Sequence, residues 1–556
     1  MMNLTWAATA ELRGLSRVSR QVSIEEVAAR FKRNCRRAGS DPPGMGSTAW
    51  LFGDAPLAPV AAVRWTALST GSAVPLAHMR SSWQAVLMGA HVSAGRSFRY
   101  IDLFAGIGGF AAALEAFGGE CVYSVEIDPA AAAVYERNWG HSPLGDITKD
   151  ANDEVVSIPP HDLLAAGFPC QPFSKSGAQR GMEETRGTLF WNILRIIHEH
   201  RPTVVLLENV RNLAGPRHGH EWDVIIRELR DAGYRVSAKP TVFSPHLLPI
   251  ERGGRPQVRE RVFITATYDP DSACEADGVP AVIENISQRG DEEWLLTTDL
   301  PLGDVEAAPD LELSAAETQW IDAWNDFVEL MWAEVRRTDG DGARLPGFPI
   351  WVDAWVDAAS LEIPEGTPRW KENFLRKNAE FYTKHRVALD AWLNNWPVKE
   401  FPPSRRKLEW QAQQTPRLWD CAMQLRPSGI RAKRMTHLPA LVAITQTSVL
   451  GPLRRRLAWR EAARLQGLPD NFDFGGQPAA QTYKQLGNGV SVGAVWNVLR
   501  AHAERDKAIL ERSETGRALY RAIVTDAPKT PDDRLEMVVA AGQRRYREQA
   551  AHKRLL

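Results

Sequence analysis

The 556-residue chain predicts an α/β fold: a doubly wound, mostly parallel sheet flanked by helices, with a smaller second domain. Three observations carry that expectation. From 97 to 272, short apolar runs of strand type alternate with helical patterns, as βαβ units require. The first strand runs into a glycine-bearing turn that opens a helix. After 273 the composition changes, and 273–450 holds eleven of the 20 tryptophans.

The elements follow in order. Residues 98–104 predict the first strand, 110–117 a helix and 120–125 the next strand. Asp128-Pro129 opens the following helix, as an N-cap with proline at the first helical position. Residues 162–168 form an apolar strand that Pro169 ends, and 203–207 form a later buried strand of parallel type. Beyond 273, 315–336 and 370–396 have helical patterns. Trp320/Trp324 and Trp392/Trp396 sit at helical spacing, which favours core packing over stacking on bases. Residues 1–96 are an extension of unclear structure with one short helical pattern at 23–31, or a stretch preceding a start at Met79 or Met88. Residues 506–556 predict a charged helical tail on the surface.

Composition excludes several classes. Five scattered cysteines give neither a disulfide framework nor a zinc spacing, which fits a reducing cytoplasm. No apolar run of about 18 residues predicts a membrane span. The formal net charge of -1 conceals an asymmetry. Residues 291–341 carry fifteen acidic and two basic side chains, whereas 405–464 carry thirteen basic and three acidic ones. The basic block predicts a phosphate-contacting surface. The acidic stretch would repel nucleic acid, so it is expected to face away or to meet another protein.

Two places in the first region carry chemistry. Gly167-Phe168-Pro169-Cys170-Gln171 presents a thiol at the carboxyl end of a strand, where open sheets place ligands. A lone cysteine is more often an inert buried hydrophobe, so Cys170 gains its meaning from its companions. Gly106, Gly108 and Gly109 lie in the turn after the first strand, where a ligand can approach backbone at a helix N-terminus. Glu126 ends the next strand, 20 residues after Gly106, and suits ribose hydroxyls. A nicotinamide site would want a fuller glycine fingerprint and a dehydrogenase base, and neither is present.

Taken together, these segments resemble the DNA (cytosine-C5) methyltransferases of the bacterial restriction–modification type, from 98 to about 500. The motifs are Asp102-Leu103-Phe104-Ala105-Gly106-Ile107-Gly108-Gly109-Phe110, Glu126-Ile127-Asp128, Gly145-Asp146-Ile147 and the Cys170 run. Arg186-Gly187-Thr188-Leu189-Phe190, Glu208-Asn209-Val210 and Gln257-Val258-Arg259-Glu260-Arg261 follow. Arg460-Glu461-Ala462-Ala463-Arg464 and Gly487-Asn488-Gly489-Val490-Ser491 close the series. The resemblance implies a Rossmann-like S-adenosylmethionine-dependent methyltransferase domain over 97–272, a target-recognition region over 273–483, and a segment, 484–505, returning to the catalytic domain. It implies S-adenosyl-L-methionine as cofactor and no metal. The implied cofactor contacts are Phe104, Ala105, Gly106, Gly108, Gly109, Glu126, Ile127, Asp146, Ile147, Phe168, Leu189 and Asn488.

It also implies the chemistry. Cytosine C5 is a poor nucleophile until a thiolate adds to C6, so Cys170 is the expected nucleophile. Glu208 would protonate or hydrogen-bond N3, and Arg261 would hold O2. Arg259 and Gln257 would organise the pocket and the cysteine loop, Gln257 also meeting DNA, with Arg259 and Arg261 two apart on one strand and so on one face. The base must leave the duplex, and 171–187 has the composition of a loop that closes over it, with Ser174 and Arg180 touching DNA. Asn209 would brace that loop. Arg426, Arg431, Lys433, Arg434 and Thr436 are expected at the major groove. Relatives often carry Thr-Leu late in this region, where the chain has Ala440-Leu441, so Thr436 or Thr445 is expected to substitute. Double-stranded DNA is the expected partner of a monomer, with a restriction endonuclease acting independently. The rivals are a tRNA methyltransferase on the same scaffold and a non-catalytic DNA-binding regulator.

Overall fold

In the computed structural model, β1 (Phe98–Leu103) is the turning point of a seven-stranded sheet. The other strands are β2 (Gly119–Val125), β3 (Leu163–Gly167), β4 (Val204–Val210), β5 (Tyr234–Val236), β6 (Thr241–Phe243) and β8 (Arg261–Tyr268). The order is β2-β1-β3-β4-β8-β5, with β6 also paired to β8. Pairing is parallel from β2 to β4, and β8 runs antiparallel to each of its neighbours. Because β2 and β3 flank β1 on opposite sides, the winding reverses there. The carboxyl ends of β1 and β3 therefore border the crevice where open α/β sheets bind ligands.

The described residues are 97–169, 188–271, 278–300, 302, 309–340, 344–441 and 447–555, all within the compact unit Trp83–Leu556. The expectations for 1–96 lie outside them. Among the described residues no helix is long and apolar enough to cross a membrane.

Helices cover both faces of the sheet. They are α1 (Gly109–Ala116), α2 (Pro129–Trp139), the short α3 (Ile147–Asp150), α4 (Leu189–His200) and α5 (Gly219–Asp231). Alternation along β1 divides the core, with Tyr100 packing with Phe110 and Leu114 on one face. Ile101 packs with Leu164, Ile193 and Ile197 on the other. Asp128 caps α2 by accepting from the Ala130 and Ala131 amides, with Pro129 behind it, as the sequence predicts.

A second sheet has the order β15-β14-β11-β12-β10-β9. It contains β9 (Ile350–Trp351), β10 (Lys407–Gln411), β11 (Cys421–Arg426), β12 (Gly429–Arg434), β14 (Val449–Leu450) and β15 (Arg455–Arg456). Two long helices, α6 (Ala315–Asp339) and α7 (Arg369–Asn395), share its core. Trp324 and Trp392 are fully buried there with ring centroids 5.1 Å apart, and Trp320 and Trp396 pack on the same core. A small parallel pair, β7 (Gln257–Val258) with β13 (Leu438–Pro439), joins the second region to the first.

The chain then returns through α8 (Trp459–Leu465), α9 (Ala479–Asn488) and α10 (Val492–Arg505). Trp496 of α10 stacks on Phe117 just past α1, with centroids 3.5 Å apart. The surface-tail expectation for 506–556 needs correcting. Its helices α11 (Glu514–Tyr520) and α12 (Asp532–Leu555) bury Leu519, Leu535 and Val539, and the turn between them buries Ile523, in the same core as α1. The charge density of that stretch hides a sparse apolar stripe that is sufficient for docking.

Candidate active site

The turn after β1 is shaped by its backbone. Gly106 and Gly108 adopt φ of 57° and 93°. A Cβ on Gly108 would collide with the Trp139 indole, whereas one on Gly106 would meet nothing within 4 Å. Gly108 is thus needed for packing, and Gly106 leaves open space beside its backbone. Phe104 also has a positive φ of 58°, a conformation costing about 1–3 kcal/mol that characteristically persists at functional sites. Glu126 accepts from the Gly106 and Asp128 amides, both at 2.8 Å, which fixes the acidic group at the mouth of the turn. Ala105 is buried, and Gly109 abuts Val490 of the returning segment.

Beside Glu126, Ile127 is 71% exposed and Leu144 is 60% exposed. Bridged through Glu126, they form a small apolar shelf. Leu144 was missed by the sequence reading, although its neighbours Gly145-Asp146 were the signal. Asp146 caps α3 and accepts from the Thr148 amide and hydroxyl, hydrogen bonds that hold its carboxyl below the ordinary value. The side chains of Ile147 and Phe168, both expected cofactor contacts, are buried in the core that holds Leu103. Leu189 opens α4 behind its Thr188 cap, and Asn488 ends α9 exposed.

The second half of the site lies where β3 meets β4. Gly167 is in register with Glu208, and a Cβ there would lie 3.5 Å from Glu208 Oε2. Asn209 donates from Nδ2 to the Phe168 carbonyl at 2.8 Å. The strand that leads into Cys170 is therefore locked to the one carrying Glu208. Cys170, Ser174 and Arg180 lie outside the described residues. The Glu208 carboxyl, its side chain 12% exposed, meets Arg261 Nε at 3.0 Å. Burial pushes that carboxyl above its ordinary value, and Arg261 and Arg259 pull against the shift. Burial thus favours the protonated carboxyl, and the two guanidiniums oppose it.

Arg259 and Arg261 do not share a strand. β7 ends at Val258 and β8 starts at Arg261, and the two side chains diverge in use. Arg259 is 1% exposed and donates to the carbonyls of Leu441 and Gly487 at 2.9 and 2.8 Å, and also to that of Gly489. It therefore clamps the first region to both later ones, and Leu441 of the Ala440-Leu441 departure is one of its anchors. Gln257 is fully buried, with neither amide atom partnered among the described residues, so it does not offer itself to solvent.

Many of the basic residues of 405–464 are engaged within the chain. Arg434 pairs with Glu293 at 2.6 Å, Arg456 with Glu317 at 2.5 Å, and Arg455 with Glu461 at 2.7 Å. The acidic stretch thus does not simply face away, because Glu293 and Glu317 each pair with one arginine of the basic block. Opposite charges far apart in sequence are silent about such pairing. Thr436 is buried and shares a hydrogen bond with His437 Nδ1, and Thr445 lies outside the described residues. Arg426, Arg431 and Lys433 remain half-buried on one face of the second sheet, around a Glu409 that the sequence reading missed.

A family profile described as C-5 cytosine-specific DNA methylase matches residues 98–504. The chain is 50% identical to the Type II methyltransferase M.AluI of Cellulosimicrobium cellulans over 513 residues, 78% of this chain and 97% of that protein. It is 48% identical to the Type II methyltransferase M.HhaI of Haemophilus parahaemolyticus over 30% of this chain and 48% of that one. Against the Type II methyltransferase M.DsaV of Dactylococcopsis salina it is 41% identical over 35% and 53%.

Proposed function

The chain belongs to the C-5 cytosine-specific DNA methylases and is a DNA cytosine-C5 methyltransferase, and from that premise we propose how it works. It methylates C5 of a cytosine flipped out of a defined duplex sequence, through a covalent bond between Cys170 and C6, with S-adenosyl-L-methionine as methyl donor. Residues 97–272 with 484–505 form the catalytic part, and 273–483 read the DNA. A restriction endonuclease acting independently on the same sequence is the expected companion in the cytoplasm.

The residues present fit that cofactor. The open space at Gly106, the fixed carboxylate of Glu126 and the shelf of Ile127 and Leu144 suit a methionine chain, a ribose and an adenine ring in turn. When bound, S-adenosylmethionine supplies an electrophilic methyl group. Asp146, Leu189 and Asn488 complete the cradle, with backbone from Phe104, Ala105, Gly108, Gly109, Ile147 and Phe168.

The chain's own residues prepare cytosine C5. The Cys170 thiolate forms a bond to C6, and the C5–C6 π electrons move toward N3 and O2. Glu208 gives its proton to N3, and the Arg261 guanidinium lies beside the charge developing at O2. Once C5 is methylated, water takes the C5 proton as the thiolate leaves C6, and N3 returns its proton to Glu208, which restores the ring. Arg259 and Gln257 hold the pocket in shape. Ser174 and Arg180 secure the flipped nucleotide from the adjoining loop.

The single observation that carries this reading is the lock between β3 and β4, with Gly167 against Glu208 and Asn209 on the Phe168 carbonyl. It sets the buried acid beside the strand end that leads into the thiol. Transfer of tritiated methyl groups to duplex DNA, with tRNA as the competing acceptor, tests it. Labelling of duplex DNA alone, mapped to cytosine by bisulfite sequencing, is expected. Labelling of tRNA alone would overturn it.

A further inference from the structure

The core-facing residues of the second sheet are Leu408, Trp410, Met423, Leu425, Ile430 and Ala432, which pack against α6 and α7. Strand alternation turns the intervening residues to the opposite face. There Glu409 is opposite Arg431, Gln411 opposite Lys433, and Gln424 also opposite Arg431. On that same face Ala422 and Leu450 join the core that holds α1 and α10. The polar face is thus continuous with the contact to the catalytic part and looks toward it.

The charge on this face is unbalanced. Arg431 reaches Glu409 Oε2 with Nε at 2.7 Å and Nη2 at 2.6 Å, and Arg426 Nη1 lies 3.6 Å from the same oxygen. One carboxylate therefore serves two guanidiniums. Lys433 has no hydrogen bond or ion pair among the described residues, and burial together with Arg431 and Arg426 lowers its pKa. Arg426 Nη1 is itself buried without a hydrogen-bond partner among the described residues. Half-buried cations in excess, with donors left over, call for an acceptor from outside the chain. Guanine presents two acceptors, O6 and N7, to a fork of this kind in the major groove.

We propose that Glu409 is the residue that sets sequence specificity by position, holding the Arg431 fork against β10 so that its free donors meet a guanine edge while Arg426 and Lys433 stand beside it. The proposal rests on the reading that the second region recognises DNA. Glu409 touches no base; it removes the rotational freedom that an unsupported arginine would lose on binding. The pair is only partly exposed, with Glu409 at 16% and Arg431 at 29%, so its geometry is better defined than that of a solvated surface pair.

The test compares the full-length wild type with Glu409→Gln, Arg431→Ala and the double variant. Each is assayed on the duplex that bisulfite sequencing identifies and on duplexes changed at one base pair at a time. Glu409→Gln is expected to cut discrimination at one particular base pair by about 10-fold or more, and Arg431→Ala to relax the same base pair. The double variant should discriminate no worse than Arg431→Ala alone. If Arg431→Ala relaxes a base pair and Glu409→Gln slows all duplexes equally, the positioning role is overturned and the recognition reading stands. If Arg431→Ala leaves every base pair discriminated as before, the proposal falls together with the assignment of this face to DNA.

Discussion

Asn209 Nδ2 donates to the Phe168 carbonyl at 2.8 Å, joining the ends of two strands that carry different halves of the chemistry. Both groups are buried, so Asn209→Ala leaves a carbonyl unsatisfied at a cost of about 1–3 kcal/mol. Because that cost falls on the geometry between Cys170 and Glu208, kcat is expected to drop by roughly 10- to 100-fold. The KM for S-adenosylmethionine should change little. Steady-state kinetics with each substrate varied in turn checks both.

Glu208 sets the direction of a pH effect. Burial raises its carboxyl, and the protonated form is the one that serves N3, so the rate should fall as pH rises through its pKa. Arg261 pulls that pKa down, so Arg261→Ala should slow the enzyme and move this alkaline limb upward. Glu208→Gln should lower kcat by about 100-fold or more and abolish the limb. A pH–rate profile of kcat for the three proteins decides it.

A second titration concerns stability. Arg505 donates to His502 Nδ1 at 3.1 Å, which leaves Nε2 to donate to Thr267 Oγ1 at 3.0 Å, and Thr267 donates on to Asp506 at 2.7 Å. This chain fits a neutral His502, and burial pushes its pKa from 6.5 down to about 3. The unfolded chain takes up a proton below about pH 6.5 that the folded chain refuses, so stability is full above that pH and declines below it. The loss by pH 5 should be about 2 kcal/mol, and His502→Gln should lose less over the same interval. Thermal unfolding at pH 7.5 and pH 5 reads the difference.

The C-terminal helix reaches the glycine turn through two hydrogen bonds. Arg545 Nη2 donates to the Trp139 carbonyl at 3.0 Å, and Trp139 Nε1 donates to the Ile107 carbonyl at 3.1 Å. Arg545→Ala is expected to raise the KM for S-adenosylmethionine roughly 5- to 10-fold, with kcat at saturation within about 2-fold of the wild type. A lowered kcat with unchanged KM would reject that connection.

The first sheet was legible because its strands are short apolar runs bounded by glycine, proline and capped helices, as at Asp128-Pro129. Glu126 could be singled out from its place at a strand end, whereas Glu208 came with the family resemblance. What escaped has a common physical origin in pairing across long separations. Nothing local in Arg259 announces that it bonds carbonyls of Leu441 and Gly487 rather than sharing a strand face with Arg261. Likewise Glu409 acquires its meaning only when β10 lies beside β12, and Glu317 only when it meets Arg456.

The covalent bond to Cys170 is the centre of the account, and trapping it tests the account most directly. Duplex DNA with 5-fluorocytosine at the target position has no C5 proton to lose, so the adduct cannot resolve once the methyl group has been transferred. With S-adenosylmethionine present, the wild type should form a one-to-one complex that survives denaturation, and mass spectrometry of its digest should place the DNA on the peptide containing Cys170. Cys170→Ser should form none and transfer no methyl groups. An adduct at another residue, or full methyl transfer by Cys170→Ser, would contradict the account.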